Sequence, residues 1–250
     1  MIDLQVPLTS GKTADIFSLR QNRLLKLYTP GLPQEFVQHE ITMTRYVGEL
    51  GLDVPDMEAD LFEQDGRFGC IQEHIQGPLL LEAWLSDPVA VQPIAKQLAD
   101  THQQIQQPLS TPHPDMPTQR EWIYHTLLEA EQLDPDHKEA LLAKLEQLPD
   151  GKTLCHGDFH PANILLTPDN KPIVIDWFSV TIGNPLADIA QTSFLLEQAP
   201  LPDPLDTLLT ADIRQEMAKI YLDNMVIDPK ARQELEQWQE LIAIVSQYTM

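Results

Sequence analysis

The 250 residues predict an α+β chain of two lobes, a small antiparallel-sheet lobe followed by a larger, mainly helical one. Three observations carry this. Alternating strand periodicity broken by short polar turns is confined to the first part of the chain. From Leu80 onward the apolar residues recur at helical spacing. Short strand signals return only around residues 153–176, inside the helical part. The boundary falls at Gln72–Gly77, giving a lobe at 1–76 and a second at 77–250. A cleft between two such lobes is a usual ligand site.

In the first lobe, Ile16–Leu19 and Arg23–Tyr28 flank the polar pair Gln21-Asn22, as in a hairpin. A helix follows from about Gln34 to Leu50, with Gly51 placed to end it. Two further strands are expected near Asp60–Glu63 and Phe68–His74, joined by a turn at Asp65-Gly66. In the second lobe the helices run over Leu80–Leu85, Pro88–Gln104, Gln119–Leu133 and Asp136–Gln147. Strands follow at Thr153–His156, Ile164–Leu166 and Ile173–Asp176. Helices resume at Pro185–Gln198, Thr210–Met225 and Pro229–Gln247.

Composition narrows the function classes. The 38 acidic and 16 basic side chains leave a formal charge of −22, which disfavours nucleic acid and anionic membrane surfaces as partners. Divided at residues 70 and 150, the net charge is −5, −9 and −8, so no segment is a charge block. A hydrophobic content of 42% supports a packed core rather than a disordered acidic chain. No run of 18 apolar residues occurs, and the N-terminus has no signal-peptide pattern. Cys70 and Cys155 lack metal-ligand spacing, so a cytoplasmic protein with reduced thiols is expected.

The chemistry concentrates in His156-Gly157-Asp158-Phe159-His160-Pro161-Ala162-Asn163, followed by Ile173-Val174-Ile175-Asp176-Trp177. Turn residues at Thr167–Asn170 fold Ile173–Ile175 back on Ile164–Leu166, so that Asn163 opens one arm of a hairpin and Asp176 closes the other. An amide oxygen beside a carboxylate suits Mg²⁺, a hard cation that keeps positions for water and phosphate. Asp158, five residues before Asn163, is placed to orient an attacking hydroxyl. These are the parts that phosphoryl transfer needs.

This stretch resembles the aminoglycoside phosphotransferase/choline kinase family. The resemblance rests on His156-Gly157-Asp158-Phe159-His160-Pro161, on Ile175-Asp176-Trp177 and on Asn184-Pro185-Leu186-Ala187-Asp188. Asp158 with Asn163 matches the D-x-x-x-x-N of the protein-kinase catalytic loop, and Asp176 matches its metal-binding Asp. The resemblance implies a protein-kinase-like fold that uses ATP, with GTP an open alternative, and Mg²⁺ held by Asn163 and Asp176. It makes Asp158 the catalytic group, with His156, His160 and Asp188 supporting the loop.

The same resemblance requires a phosphate-binding lysine and its carboxylate anchor in the first lobe. Lys26 lies mid-strand on the face of Leu24 and Tyr28. Glu40 is the one charge on a helical stripe of Phe36, Met43, Val47 and Leu50, and a carboxylate so placed needs a cationic partner. Gly11, Lys12 and Thr13 occupy the place of the glycine-rich loop, with one glycine instead of three. Main-chain groups of Glu73 and Ile75 are the adenine contacts. Only eleven residues separate Asp176 from Asp188, too few for a peptide-docking segment. The acceptor is therefore a small-molecule hydroxyl, and the acidic balance favours a cationic amino-sugar or amino-alcohol. Glu121, Trp122, Tyr124, Glu129 and Trp177 are candidates to touch it. The alternatives are a nucleotide-binding pseudokinase acting as an interaction module, and a metal phosphoesterase built on His156, Asp158 and His160. The oligomeric state is not legible.

Overall fold

The computed structural model describes residues 6–11, 13–201 and 205–248. They form an α+β fold that divides into two compact units. One holds the chain through Pro78 together with Ile164–Phe178; the other holds Leu79–Asn163 and the chain from Ser179 onward. The hairpin that leads to Asp176 thus belongs with the N-terminal sheet.

In the first unit, strands β1 (Thr9–Ser10), β2 (Ala14–Leu19), β3 (Arg23–Tyr28), β4 (Phe62–Gln64) and β5 (Arg67–Glu73) make one antiparallel sheet in the order β1-β2-β3-β5-β4. The two expected turns close its hairpins. Gln21 and Asn22 both have left-handed backbone (φ 59° and 57°), as do Asp65 and Gly66 (55° and 73°), the pairing that matches strand twist. Strand β4 starts two residues later than the alternation suggests.

Helix α1 (Gln34–Glu49) lies on one face of the sheet. Its apolar spacing buries Val37 and Ile41 against Ala14, Tyr28, Met57 and Cys70. Burial of each such aliphatic side chain contributes about 2 kcal/mol. Phe17, Leu25 and Leu27 cluster separately, as the period of two requires. Gly51 ends the helix with φ 87°.

The hairpin of β7 (Ile164–Leu166) and β8 (Pro172–Val174) completes this unit. The Leu166 amide donates to the Pro78 carbonyl at 2.8 Å. Gly77 has φ 148°, and a Cβ there would lie 1.8 Å from the Leu166 carbonyl oxygen. Gly77→Ala therefore combines backbone strain with a collision against backbone, and should cost about 3 kcal/mol or more in urea unfolding. A loss below about 1 kcal/mol would refute this close approach.

The second unit contains α2 (Leu80–Ser86), α3 (Val91–Ile105), α4 (Gln119–Glu129), α5 (Pro135–Gln147), α6 (Pro185–Gln198), α7 (Leu205–Leu208), α8 (Ala211–Asn224) and α9 (Arg232–Val245). Helix α6 is its axis, packing on α8 and α9, while α3 packs on α8. From Ala187 to Phe194 every residue is buried, the polar Asp188, Gln191, Thr192 and Ser193 included, so the helix shows no exposed polar face there. Thr118 starts α4 with a capping box to Glu121, and Asn184 caps α6 ahead of Pro185.

Strand β6 (Thr153–Cys155) pairs with β9 (Thr181–Gly183), a strand the alternation did not reveal. With three residues and a partner 28 positions away in register, β9 owes its state to pairing rather than pattern. Helix α4 stops at Glu129, four residues short of the expected end. No helix among the described residues is long and apolar enough to cross a membrane.

Candidate active site

Lys26 sits at the middle of β3, opposite Cys70 on β5, on the sheet face covered by α1. Its Nζ donates to both oxygens of Glu40, at 2.9 and 3.0 Å, and to Asp176 Oδ1 at 3.2 Å. The Lys26 and Glu40 side chains are 13% and 3% exposed, whereas Asp176 keeps 39% of its surface open. Burial works against the ammonium, yet Glu40 and Asp176 outweigh it and raise Lys26 above the ordinary lysine range. Burial, with Asp176 beside it, raises Glu40, and Lys26 pulls it back. Bidentate contact at these distances decides the balance: both partners are charged at neutral pH.

The strand leading to this site ends at Val174, not Asp176. Asp176 has left-handed backbone (φ 65°), an uncommon state that Asp tolerates better than most residues. Trp177 begins a short 3₁₀ turn, fully buried with its indole N–H donating to the Val174 carbonyl at 3.1 Å. It is therefore a packing residue, and the expectation that it touches an acceptor is corrected. Phe178 stacks on Phe36 of α1, with centroids 3.7 Å apart, and His39 meets it edge-on. One helix thus carries both the Glu40 carboxylate and an aromatic brace on the Asp176 turn.

The remaining nucleotide-site expectations from the first lobe are placed as follows. The Gly11 amide donates to the Ala14 carbonyl at 2.8 Å, closing the β1–β2 turn. Space is available for a side chain there, so this turn does not demand glycine. Thr13 is exposed and accepts the Thr29 amide through its carbonyl. Lys12 lies outside the described residues. The Glu73 amide, at the end of β5, donates to the Asp56 carbonyl at 2.7 Å. Ile75 follows β5 in irregular backbone.

In the second unit, residues 156–163 form a tightly braced loop. Asp188, 1% exposed, accepts the His156 amide at 3.0 Å, the Gly157 amide at 2.9 Å and His102 Nε2 at 2.9 Å. Tyr221 lies 2.6 Å from His102 Nδ1. Burial opposes charge on Asp188, but the charge and hydrogen bond of His102, the Gly157 amide and the nearby His156 ring hold its carboxyl below the ordinary range. Gly157 has φ 79°, and a Cβ there would meet the Ser179 carbonyl oxygen at 2.3 Å. Only glycine lets the chain turn here.

Sequence reasoning missed His102 and Tyr221. His102 is discoverable: it is the one titratable group on the buried α3 stripe of Val91, Ala95, Leu98 and His102, the pattern that singles out Glu40 on α1.

Removing the Asp188 charge should be costly. Asp188→Asn is expected to lose about 3 kcal/mol at pH 7, since a buried charged acceptor of three donors is replaced by a poorer one. The pH sign follows from a depressed folded value. The contribution is complete above the unfolded carboxylate pKa of about 3.9 and is lost as pH falls through the lower folded value. Urea unfolding of the two proteins should therefore differ most above pH 5 and converge in strong acid. A gap that widens on acidification would contradict this.

Asp158 lies at the loop's open end, 41% exposed. Asn163 Nδ2 donates to its carbonyl at 2.8 Å and to its Oδ2 at 3.1 Å. His160 Nδ1 accepts the Ala162 amide at 3.2 Å, leaving Nε2–H 3.5 Å from Asp158 Oδ2. His156, fully buried, accepts the Asp158 amide through Nδ1 at 3.2 Å. The surrounding protein raises Asp158, but the His160 hydrogen bond, the His160 and His156 charges and the Asn163 amide together bring it below the ordinary carboxylate range. Both histidines have ring nitrogens engaged in bracing the loop. Among the described residues, no group of three or more His, Cys, Asp or Glu side chains is arranged to hold a metal.

Asn163 immediately precedes Ile164, which pairs with Val174, and Asp176 follows two residues later. Asp176 keeps an open carboxylate, and the NH₂ end of the Asn163 amide is turned to Asp158; carboxylate and amide oxygens are the donor types a hard divalent cation prefers. Glu121 is engaged as the α4 cap, accepting from the Thr118 amide and hydroxyl at 3.0 and 2.8 Å; Tyr124 and Glu129 are exposed, and Trp122 lines a small recess beside Gly157 and Asp188.

A five-stranded antiparallel sheet with a lysine–carboxylate pair, followed by a mainly helical part carrying an Asp–Asn loop, defines the kinase-like class of phosphotransferase folds. The phosphotransferase enzyme family matches the chain over residues 5–222, and the chain belongs to that family. No curated protein matches it. Three solved structures place the fold. The aminoglycoside-3'-phosphotransferase of type VIII is 19% identical, with a TM-score of 0.53 over 94% of this chain and 91% of that one. APH(3'')-Id from Streptomyces rimosus is 17% identical, with a TM-score of 0.55 over 95% and 92%. The amicoumacin kinase hAmiN, in complex with AMP-PNP, Ca²⁺ and Ami, is also 17% identical, with a TM-score of 0.55 over 95% and 80%. At these identities the likeness is one of fold.

Proposed function

We propose that the protein transfers the γ-phosphoryl group of ATP to a hydroxyl of a small molecule. The observation that carries this is the Lys26–Glu40–Asp176 cluster. A buried ammonium fixed by one buried carboxylate, with a second carboxylate left open, is suited to hold phosphate oxygens beside a metal-binding group. Lys26 would take the α/β-phosphates. The Glu73 carbonyl and the Ile75 amide would receive the adenine, and Gly11 and Thr13 would border the phosphates. Asp176 and the Asn163 oxygen would hold Mg²⁺, which supplies charge neutralisation on the phosphates.

Asp158 acts on the acceptor. Its Oδ2 is engaged by Asn163 and His160, so Oδ1 is the oxygen that orients the hydroxyl and takes its proton. His156 and Asp188 hold the loop that presents it. The acidic balance supports a cationic amino-sugar or amino-alcohol as acceptor, and a cytoplasmic location is consistent with two buried free thiols. An ADP-release screen over amino-sugars, amino-alcohols, sugars and nucleosides tests this reading, with Asp158→Ala as the blank. It predicts at least one acceptor with native protein and none with the variant. Equal ADP release by both would refute it.

A further inference from the structure

The second unit contains a partly enclosed cavity of about 330 Å³ bordered by the 156–163 loop, and Asp188 is not among its lining residues. Its walls are Leu81 and Trp84 of α2, Leu195 and Leu196 of α6, and Leu205 and Leu209 beyond. His160, Pro161 and Ala162 close it, three of the four residues between Asp158 and Asn163. Among the described residues the lining is chiefly apolar and includes no carboxylate. Engineered apolar cavities of about 150 Å³ hold one benzene ring, so this space has room for about two.

Among the described residues, Arg214 is the charged group that lines it. Arg214, 8% exposed, donates through Nε to the Leu196 carbonyl at 2.8 Å. Its Nη2 donates to the Leu195 and Ala199 carbonyls at 3.2 and 2.7 Å. Nη1 has no hydrogen-bond partner among the described residues. Burial works against the guanidinium charge, and Asp206 and Glu197, which favour it, do not line the cavity. A buried cation with an unused donor in an apolar pocket calls for an anionic or hydrogen-bond-accepting group.

We propose that this cavity binds an apolar small molecule of two-ring size bearing an anionic or neutral acceptor group, and that its occupancy is felt by the catalytic loop through His160. Such a ligand is chemically unlike the cationic acceptor proposed above. It is therefore a second ligand, an effector whose contact with His160 bears on the ring that holds Asp158 Oδ2. The site stands on cavity geometry and does not depend on the phosphotransfer reading.

The test uses 2-naphthoate as probe, followed by tryptophan fluorescence and by the imidazole NMR signals of His160. Saturable one-to-one binding is expected, with the His160 signals moving at saturation. Filling the space from two lining positions, by Ala199→Phe and separately by Leu81→Trp, should weaken binding at least tenfold; two variants guard against one failing to fold. The cationic analogue 2-naphthylmethylammonium should bind at least tenfold more weakly than the carboxylate. No saturable binding, binding unchanged in both variants, or preference for the cation would overturn the site. 2-(2-Naphthyl)ethanol with ATP separates the roles. Bound without ADP release it is an effector, as proposed; ADP release that the filling variants abolish would overturn the effector role and make the cavity an acceptor subsite.

Discussion

Asp158→Asn is expected to lower turnover with any acceptor by about 10²–10⁴-fold, the range a positioned general base contributes, while leaving nucleotide affinity unchanged. The substitution keeps the side chain's shape and its contact with Asn163, so the fold should be intact. The pH dependence separates a base from a bystander. Asp158 is held below the ordinary carboxylate range, so it stays ionised and its activity is retained until pH falls through that depressed value. His160→Ala removes the largest lowering influences, and the surrounding protein's opposing effect then prevails. The acid limb of kcat/KM should move upward in that variant. An unchanged limb, or full turnover in Asp158→Asn, would remove Asp158 from the mechanism.

Lys26→Met should be the most damaging single change in the first unit. It strands Glu40, 3% exposed, without its cation, and breaking a buried ion pair costs about 3–5 kcal/mol. It also removes the proposed phosphate contact, so ATP binding measured by calorimetry should vanish. The double variant Lys26→Met with Glu40→Leu distinguishes the two roles. Replacing both partners by apolar groups is often neutral for stability, so urea unfolding should recover most of the loss. ATP binding should not recover. A protein that regains both would have an ordinary strand–helix ion pair at this position; one that loses neither would contradict the buried geometry itself.

Much of this site is legible in the chain because its signals are local. A carboxylate on an apolar helical stripe, as at Glu40, announces a missing partner through the cost of burying charge. Turn pairs such as Gln21-Asn22 and Asp65-Gly66 announce left-handed backbone through side chains that tolerate it. Trp177 shows where such reading fails. An aromatic beside a proposed metal ligand looks available to a ligand, and only packing shows that its indole is enclosed and bonded to Val174. The Gly11 turn fails the other way: the glycine suggests a backbone need, yet the turn leaves space for a side chain.

By itself the sequence determined the α+β order of elements, the pairing of Lys26 with Glu40, and the loop that carries Asp158 and Asn163. Each follows from periodicity, burial cost or turn chemistry within a few residues of the signal. Tertiary structure alone decided the Tyr221–His102–Asp188 brace, whose members lie up to 119 residues apart, and the pairing of β9. It also decided the stacking of Phe178 on Phe36 and the cavity that Arg214 lines. These depend on which surfaces meet, a property of packing at a distance that no local period encodes.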